Sequence, residues 1–171
     1  MKPRLITIGV YGFDKDGFFQ ALLDAQVDTF CDIRLRRGMR GSEYAFVNST
    51  RLQQQLQQLG IRYLHMKELA PSQSIRNQQK VEDKLNRQAK RTRKTLEQTF
   101  ISAYEAECLS AFDSTDFLQK VGSEAKVISL FCVERDPQAC HRSLAAKKIA
   151  HDLNLQLEHI TPSGIPIPLE N

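Results

Sequence analysis

The stretch Ala125–Asp152, AKVISLFCVERDPQACHRSLAAKKIAHD, decides the fold class. Its apolar run Val127 to Phe131 predicts a strand, the polar Glu134-Arg135-Asp136-Pro137 a turn, and the spacing beyond it a helix. Asp136 followed by Pro137 predicts the helix start. The aspartate accepts from free first-turn N–H groups, and proline gives up only a donor that would have had no partner. This junction holds Cys132 and Glu134 leaving the strand and Cys140-His141-Arg142 in the first turns of the helix. In an open parallel sheet, ligands settle beyond the carboxyl ends of the strands, where helix N-termini present N–H groups and partial positive charge. An anion is the expected ligand, with Arg142 offering a bidentate fork.

Working outward, Leu5–Val10 predicts a first strand, and the turn Tyr11-Gly12-Phe13-Asp14 leads into a helix buried through Phe18, Leu22, Leu23 and Ala25. Val27–Ile33 predicts the second strand, parallel to the first through a right-handed crossover. Asp32 and Arg34, two apart, fall on one face of that strand and are expected to bridge. A long loop, Leu35–Phe46, carries Arg36, Arg37 and Arg40 between glycines. Asn48 or Ser49 is expected to cap a helix with the stripe Leu52, Leu56, Leu59, stopped by Gly60. Ile61–Leu64 predicts a third strand ending near His65, which reads as a structural histidine.

Val81, Leu85, Ala89, Thr92, Leu96, Phe100 and Ala103 then recur every three or four residues and predict one long helix or two joined ones, with its basic face outward. Phe112–Val121 predicts a short helix capped near Asp113 or Ser114, and Leu155–Ile160 a last strand. The prolines after Thr161 are expected to keep the tail out of the sheet. The expected architecture is α/β. It is a single three-layer domain over residues 1–171 with a mainly parallel sheet and a long basic helical arm inserted at about 74–110.

Cys132-x-Glu134 with Cys140-His141-Arg142, Thr7-Ile8-Gly9, Asp32-Ile33-Arg34 and Gly60-Ile61-x-Tyr63 together give a pattern that resembles the bacterial domain-of-unknown-function family 488. The resemblance spans nearly the whole chain and implies a fold and a set of motif positions, not a reaction. Ser74–Cys108 is longer and more basic than the resemblance implies, so its role is not inherited.

A chain of 171 residues suits one domain with a full core, and 41% hydrophobic with 26% charged residues is ordinary for a globular protein. No run of ~18 apolar residues and no signal-peptide succession is present, so no membrane span is expected. Four scattered cysteines predict a reducing, cytoplasmic setting. The net charge of +4 is unevenly placed: residues 76–94 hold eight basic and two acidic side chains, leaving the rest slightly acidic. Such a strip, including Arg87, Arg91, Arg93 and Lys94, makes a nucleic acid a possible partner, although no aromatic interleaving accompanies it.

Three chemistries compete at the strand ends. Cys140 beside His141 and Arg142 has electropositive surroundings suited to a thiolate nucleophile. Adjacent helical side chains diverge by ~100°, however, and Arg142 lies too far from Cys132 for a phosphatase loop. A zinc site drawn from Cys132, Cys140 and His141, with His159 as a fourth ligand, lacks a Cys-x-x-Cys pair and suffers from the same divergence. No metal is therefore assigned, and zinc is not favoured. The favoured reading is a pocket for a phosphorylated small molecule or nucleotide. Arg34, Arg142, His141 and Tyr11 bind the ligand, and Glu134, Asp32 and Cys140 are the candidate catalytic groups. The same reading leaves Asp32–Arg34 and Glu134–Arg142 open as structural ion pairs.

Overall fold

The computed structural model describes residues 2–89, 91–163 and 167–168. Strand β1 (Arg4–Gly9) is followed by α1 (Lys15–Asp24), β2 (Thr29–Asp32), α2 (Ser49–Gln58), β3 (Arg62–His65), α3 (Gln73–Leu85), α4 (Gln98–Tyr104) and α5 (Ser114–Val121). The chain then forms β4 (Val127–Cys132), α6 (His141–Leu153), β5 (Leu157–Ile160) and a two-residue β6 (Ile167–Pro168). The sheet order is β3-β2-β4-β1-β5-β6. The first five strands are parallel and β6 is antiparallel on the edge. The expected α/β class with a mainly parallel sheet is what the chain forms.

The central strands explain the core. β4 is buried at all six positions and β1 at five of its six, as continuous apolar runs must be when helices cover both faces. Right-handed crossovers place α1 and α2 on one face and α3 to α6 on the other. On the first face Phe18 of α1 packs edge-on against Phe131 and Phe30, with ring centroids 5.6 and 6.4 Å apart. On the second, Ala145, Ala146 and Ile149 of α6 are fully buried against β1 and β4. Because β2 hands its chain to the first face and β4 to the second, their carboxyl ends diverge. A crevice opens between them.

Local chemistry sets the boundaries. Asp14 caps α1 by accepting from the Gly17 amide at 2.7 Å, and Asp113 caps α5 by accepting from the amides of Thr115 and Asp116. Gly60 follows α2 at φ +71, a backbone that side chains resist. Asn48 stands at the start of α2 but does not cap it with its side chain. Its Oδ1 instead accepts from the Met39 amide and folds the arginine-rich loop back.

Three expectations are corrected. Asp136-Pro137 caps a single 3-10 turn, Pro137–Ala139, and α6 begins only at His141, with Cys140 extended before it. Of the two forms expected for the inserted arm, two helices are what the chain forms, but they are not directly joined: α3 ends at Leu85, and Arg87, Arg91, Arg93 and Lys94 follow before α4. Its helical stripe fails for a physical reason, since α3 turns Ile75 and Gln79 inward and leaves Val81 and Leu85 exposed. The prolines do not exclude the tail from the sheet, because Ile167 and Pro168 pair with His159 and Glu158 at the edge, where proline's missing donor is tolerated.

His159 is buried on β5 and meets the Thr7 hydroxyl on β1 at 2.6 Å through Nδ1. Burial pushes its pKa down to about 4, and the charges of Arg142 and Lys147 push the same way. A depressed folded-state value means the unfolded chain takes up the proton first. The contribution is therefore complete above the ordinary histidine value of 6.5 and is lost as pH falls towards about 4. Urea unfolding followed from pH 7.5 to 4.5 should show a loss on the order of 2–3 kcal/mol from this residue. The slope should flatten in His159→Gln, and an unchanged slope there contradicts the assignment.

Candidate functional site

Asp32 ends β2 fully buried, and both its oxygens are committed. Oδ1 accepts from the Arg34 amide at 3.1 Å and from Nε at 2.9 Å, while Oδ2 accepts from Arg34 Nη2 at 2.7 Å and from the Tyr63 hydroxyl at 2.8 Å. The expected bridge forms, and it is a two-pronged, charge-assisted one. With its acceptors occupied, Asp32 orients Arg34 and does not stand ready to move a proton. Arg34 also gives Nη2 to the Val47 carbonyl and lies over the Phe131 ring, 4.7 Å from its centroid. Tyr63 supplies the tyrosine of the Gly60-Ile61-x-Tyr63 motif. Burial and the Asp32 charge push its phenol up to about 12, so it stays a donor.

Arg142 does not reach the ligand side. It is fully buried and spends Nη1 on the Glu134 carbonyl at 2.6 Å and Nη2 on the Arg135 carbonyl at 3.2 Å. It clamps the turn after β4, and no Glu134–Arg142 side-chain pair is recorded among the described residues. Glu134 is paired instead with Arg93 of the insertion, whose Nη2 lies 3.4 Å from Oε1. Arg93 also gives Nη1 to Asp83 at 2.8 Å and Nη2 to the Ala139 carbonyl at 3.0 Å. A side chain expected on an outer basic face is thus buried, because the buried carboxylate of Glu134, the half-buried one of Asp83 and a carbonyl draw it in. Of the other basic residues, Arg87 and Lys94 are exposed. Arg91 pairs with Glu43 at 2.8 Å and lies over the Tyr11 and Tyr44 rings. Tyr11 itself packs edge-on against Tyr44 at 5.1 Å and does not line the cavity described next.

The insertion roofs the crevice. Between strand ends and roof lies a cavity of about 330 Å³ lined by Arg34, Arg36, Met39, Arg76, Gln79, Lys80, Asp83, Arg93, Leu96, Phe100, Cys132, Glu134 and His141, among others. Five buried side-chain N or O atoms lack a protein partner among the described residues, and three of them belong to this lining: Arg34 Nη1, Arg76 Nη1 and Arg93 Nε. A wider hollow of about 820 Å³ between the start of α1 and α2 has no such buried donor.

Beneath the cavity Cys132, Cys140 and His141 come together, with one ligating atom of each lying within 4.8 Å of the others. His141 Nδ1 is 3.9 Å from each sulfur, and Nε2 is 3.2 Å from the Ile33 carbonyl. The divergence expected for neighbouring helical residues does not apply. Cys140 is extended (φ −138°, ψ 140°), so its side chain can swing towards that of His141. Burial raises the Cys140 thiol, but a hydrogen bond with Cys132 and the charges of Arg142 and His141 outweigh it and hold the thiol below its ordinary range. Cys31, buried without such help, is pushed up. The Cys132 thiol donates to Glu134 Oε2 at 3.4 Å. His159, bonded to Thr7, does not join this group. His65 is structural as expected, with Nε2 2.9 Å from the Arg34 carbonyl.

Sequence reasoning missed Arg76, Gln79 and Asp83, which carry no motif and meet the strand ends only through the fold. Gly9 was noted within a motif without its reason. A Cβ there would overlap the Glu134 carbonyl and lie 3.0 Å from Arg142 Nη1. The glycine lets the turn after β4 close over β1. Gly9→Ala should therefore cost about 3 kcal/mol or more in chemical denaturation, whereas Gly38→Ala, with open space around the added methyl, should leave the midpoint nearly unchanged. Equal midpoints for the two variants would refute the close-approach argument.

No helix among the described residues is long and apolar enough to cross a membrane. No curated protein and no solved structure matches the chain. Residues 15–149, well over half of the sequence, match the family described as Domain of unknown function DUF488, and the chain belongs to that family.

Proposed function

We propose that the protein binds a phosphorylated small molecule or nucleotide in the cavity between the strand ends and the insertion. The observation that carries this reading is the convergence of three arginines whose buried nitrogens, Arg34 Nη1, Arg76 Nη1 and Arg93 Nε, have no protein acceptor. A buried donor left unpaired costs about 1–3 kcal/mol, more when it is charged. Three in one hollow are accounted for when an anion supplies the acceptors. Phosphate oxygens match the fork geometry of guanidinium groups. Asp83 and Glu134 offset part of the charge, but Arg34, Arg36, Arg76, Lys80 and Arg93 leave the lining strongly positive.

The volume is at the lower end of the range for small-ligand sites, roughly 300–1,000 Å³, which suits a sugar phosphate or mononucleotide more than an extended polymer. Leu96, Phe100 and Met39 give the cavity an apolar wall for the ring of such a ligand. Glu134, at the floor beside Cys132, is the candidate to exchange a proton with a bound hydroxyl once the ligand draws Arg93 or the Cys132 thiol away from its oxygens. Arg34 is the fixed anchor, since the Asp32 bridge and the Val47 carbonyl hold it still.

Thermal unfolding of the wild-type chain, with phosphate, pyrophosphate, nucleoside phosphates and sugar phosphates added in turn, tests this. A ligand at about 100 times its Kd adds about 2.7 kcal/mol, or roughly 5–10 °C for a chain of this size. Arg76→Met is the informative variant, because Arg76 makes no salt bridge among the described residues and its loss strands no carboxylate there. It should keep the ligand-free midpoint and lose most of the shift. Failure of every phosphate compound to stabilise the wild type, or a full shift in Arg76→Met, would end the proposal.

A further inference from the structure

The cluster under the cavity has a geometry that the anion reading does not use. We propose that Cys132, Cys140 and His141 form a site for a zinc-class soft divalent cation, with the remaining coordination position facing the arginine cavity.

The distances fit. A tetrahedral zinc with Zn–S of about 2.3 Å and Zn–N of about 2.0–2.1 Å holds its sulfur and nitrogen ligands roughly 3.5 Å apart. His141 Nδ1 already stands 3.9 Å from Cys132 Sγ and 3.9 Å from Cys140 Sγ, so both nitrogen–sulfur spacings need a contraction of only a few tenths of an ångström, and the two sulfurs lie within 4.8 Å of each other. The imidazole is also in the right tautomer. Its Nε2 faces the Ile33 carbonyl at 3.2 Å, and since a carbonyl only accepts, that nitrogen carries a hydrogen, which leaves Nδ1 as the ring atom that turns to the two sulfurs and can ligate a metal. A ligating histidine anchored through its second nitrogen to a backbone carbonyl is the usual supporting arrangement around a bound metal.

The ligands are held in place. The Tyr104 ring meets the imidazole edge to face at 5.4 Å, and the Ser143 hydroxyl donates to the Cys140 carbonyl at 3.0 Å, fixing the extended residue ahead of α6. All three ligands are buried, which excludes competing water. Cys132 and His141 line the cavity and Cys140 lies behind them, so a fourth ligand comes from the cavity side, where Glu134 Oε2 stands 3.4 Å from Cys132 Sγ. Three protein ligands with one open position is the pattern of catalytic rather than structural zinc, and two thiolates with one imidazole select soft or borderline cations over calcium or magnesium. Both sulfurs bind as thiolates, so any proton still carried by either thiol is released to solvent on binding.

The test uses the full chain, reduced and freed of metal by a chelator, titrated with Co²⁺ alone and then with Zn²⁺. One equivalent of Co²⁺ should give thiolate-to-cobalt charge-transfer absorption that Zn²⁺ abolishes by displacement. Cys132→Ser and Cys140→Ser should each weaken binding at least tenfold, and Cys108→Ser should not. Because either variant at the cluster can fail to fold, and because the cluster thiols are buried, alkylation of the wild-type chain in urea near its unfolding midpoint gives a second readout: Zn²⁺ should protect Cys132 and Cys140, while Cys108, half-buried in the folded chain, stays reactive. Absence of the charge-transfer band in the reduced wild type, equal alkylation with and without Zn²⁺, or full affinity retained in folded cluster variants would overturn the assignment. Arg76→Met should keep the cobalt spectrum, so loss of the anion site and loss of the metal site are told apart.

Discussion

The arrangement depends on a buried guanidinium that meets no carboxylate among the described residues and is received by backbone carbonyls instead. Arg142 sits at the beginning of α6 with its side chain inside the protein, and two backbone carbonyls of the turn after β4 receive it. Hydrogen bonds to a charged group are worth about 1.5–3 kcal/mol net, and removing the arginine would also strand two buried carbonyls. Through this clamp the turn is drawn across β1 so closely that position 9 tolerates no side chain. The direction in which Cys132 and Glu134 leave the sheet, and the point at which Cys140 and His141 return, follow from where that guanidinium sits. Of the Cys-His-Arg trio, the arginine builds the frame and the other two face each other across it.

A second constraint joins the inserted segment to the strand ends. Arg93 bridges Asp83 of α3 and Glu134 beyond β4, a link over 41 residues of chain. Buried pairs of this kind return little net stability against a hydrophobic alternative, because desolvation offsets the attraction. They do penalise any arrangement in which one partner is left alone. The insertion therefore has a fixed seat: Tyr104 donates to the Leu69 carbonyl at 2.7 Å, and the Leu96 amide donates to the Gln138 carbonyl at 3.2 Å. The positive charge that looks like a surface strip in sequence is partly turned inward by this seating.

Much of the frame was legible from local pattern. Runs such as Val127–Phe131 and Leu5–Val10 are strands because nothing else buries both faces of a short apolar segment. The Asp32–Arg34 bridge follows from the alternation of side chains along β2. What resisted reading was set by contacts distant in sequence. Nothing near Arg76 signals that it will meet Arg34, and nothing near Arg93 signals Glu134. A motif shows that Arg142 is present but not which way it points, and the fold turns it onto the carbonyls of the turn after β4. The objection to Cys140 and His141 acting together rested on helical geometry, and a single extended residue removes it.

The cavity has two authors in the sequence. Its floor, with the thiols, the imidazole, Glu134 and the anchored Arg34, is laid down by strand ends at the centre of the sheet, where any change of length would disturb the core. Its ceiling, with Arg76, Gln79, Arg93 and Phe100, comes from a segment spliced between β3 and β4 that contributes no strand. Rewriting the ceiling leaves the sheet register untouched. The lining contributed by the roof can in this way vary in sequence while the residues of the floor keep their positions.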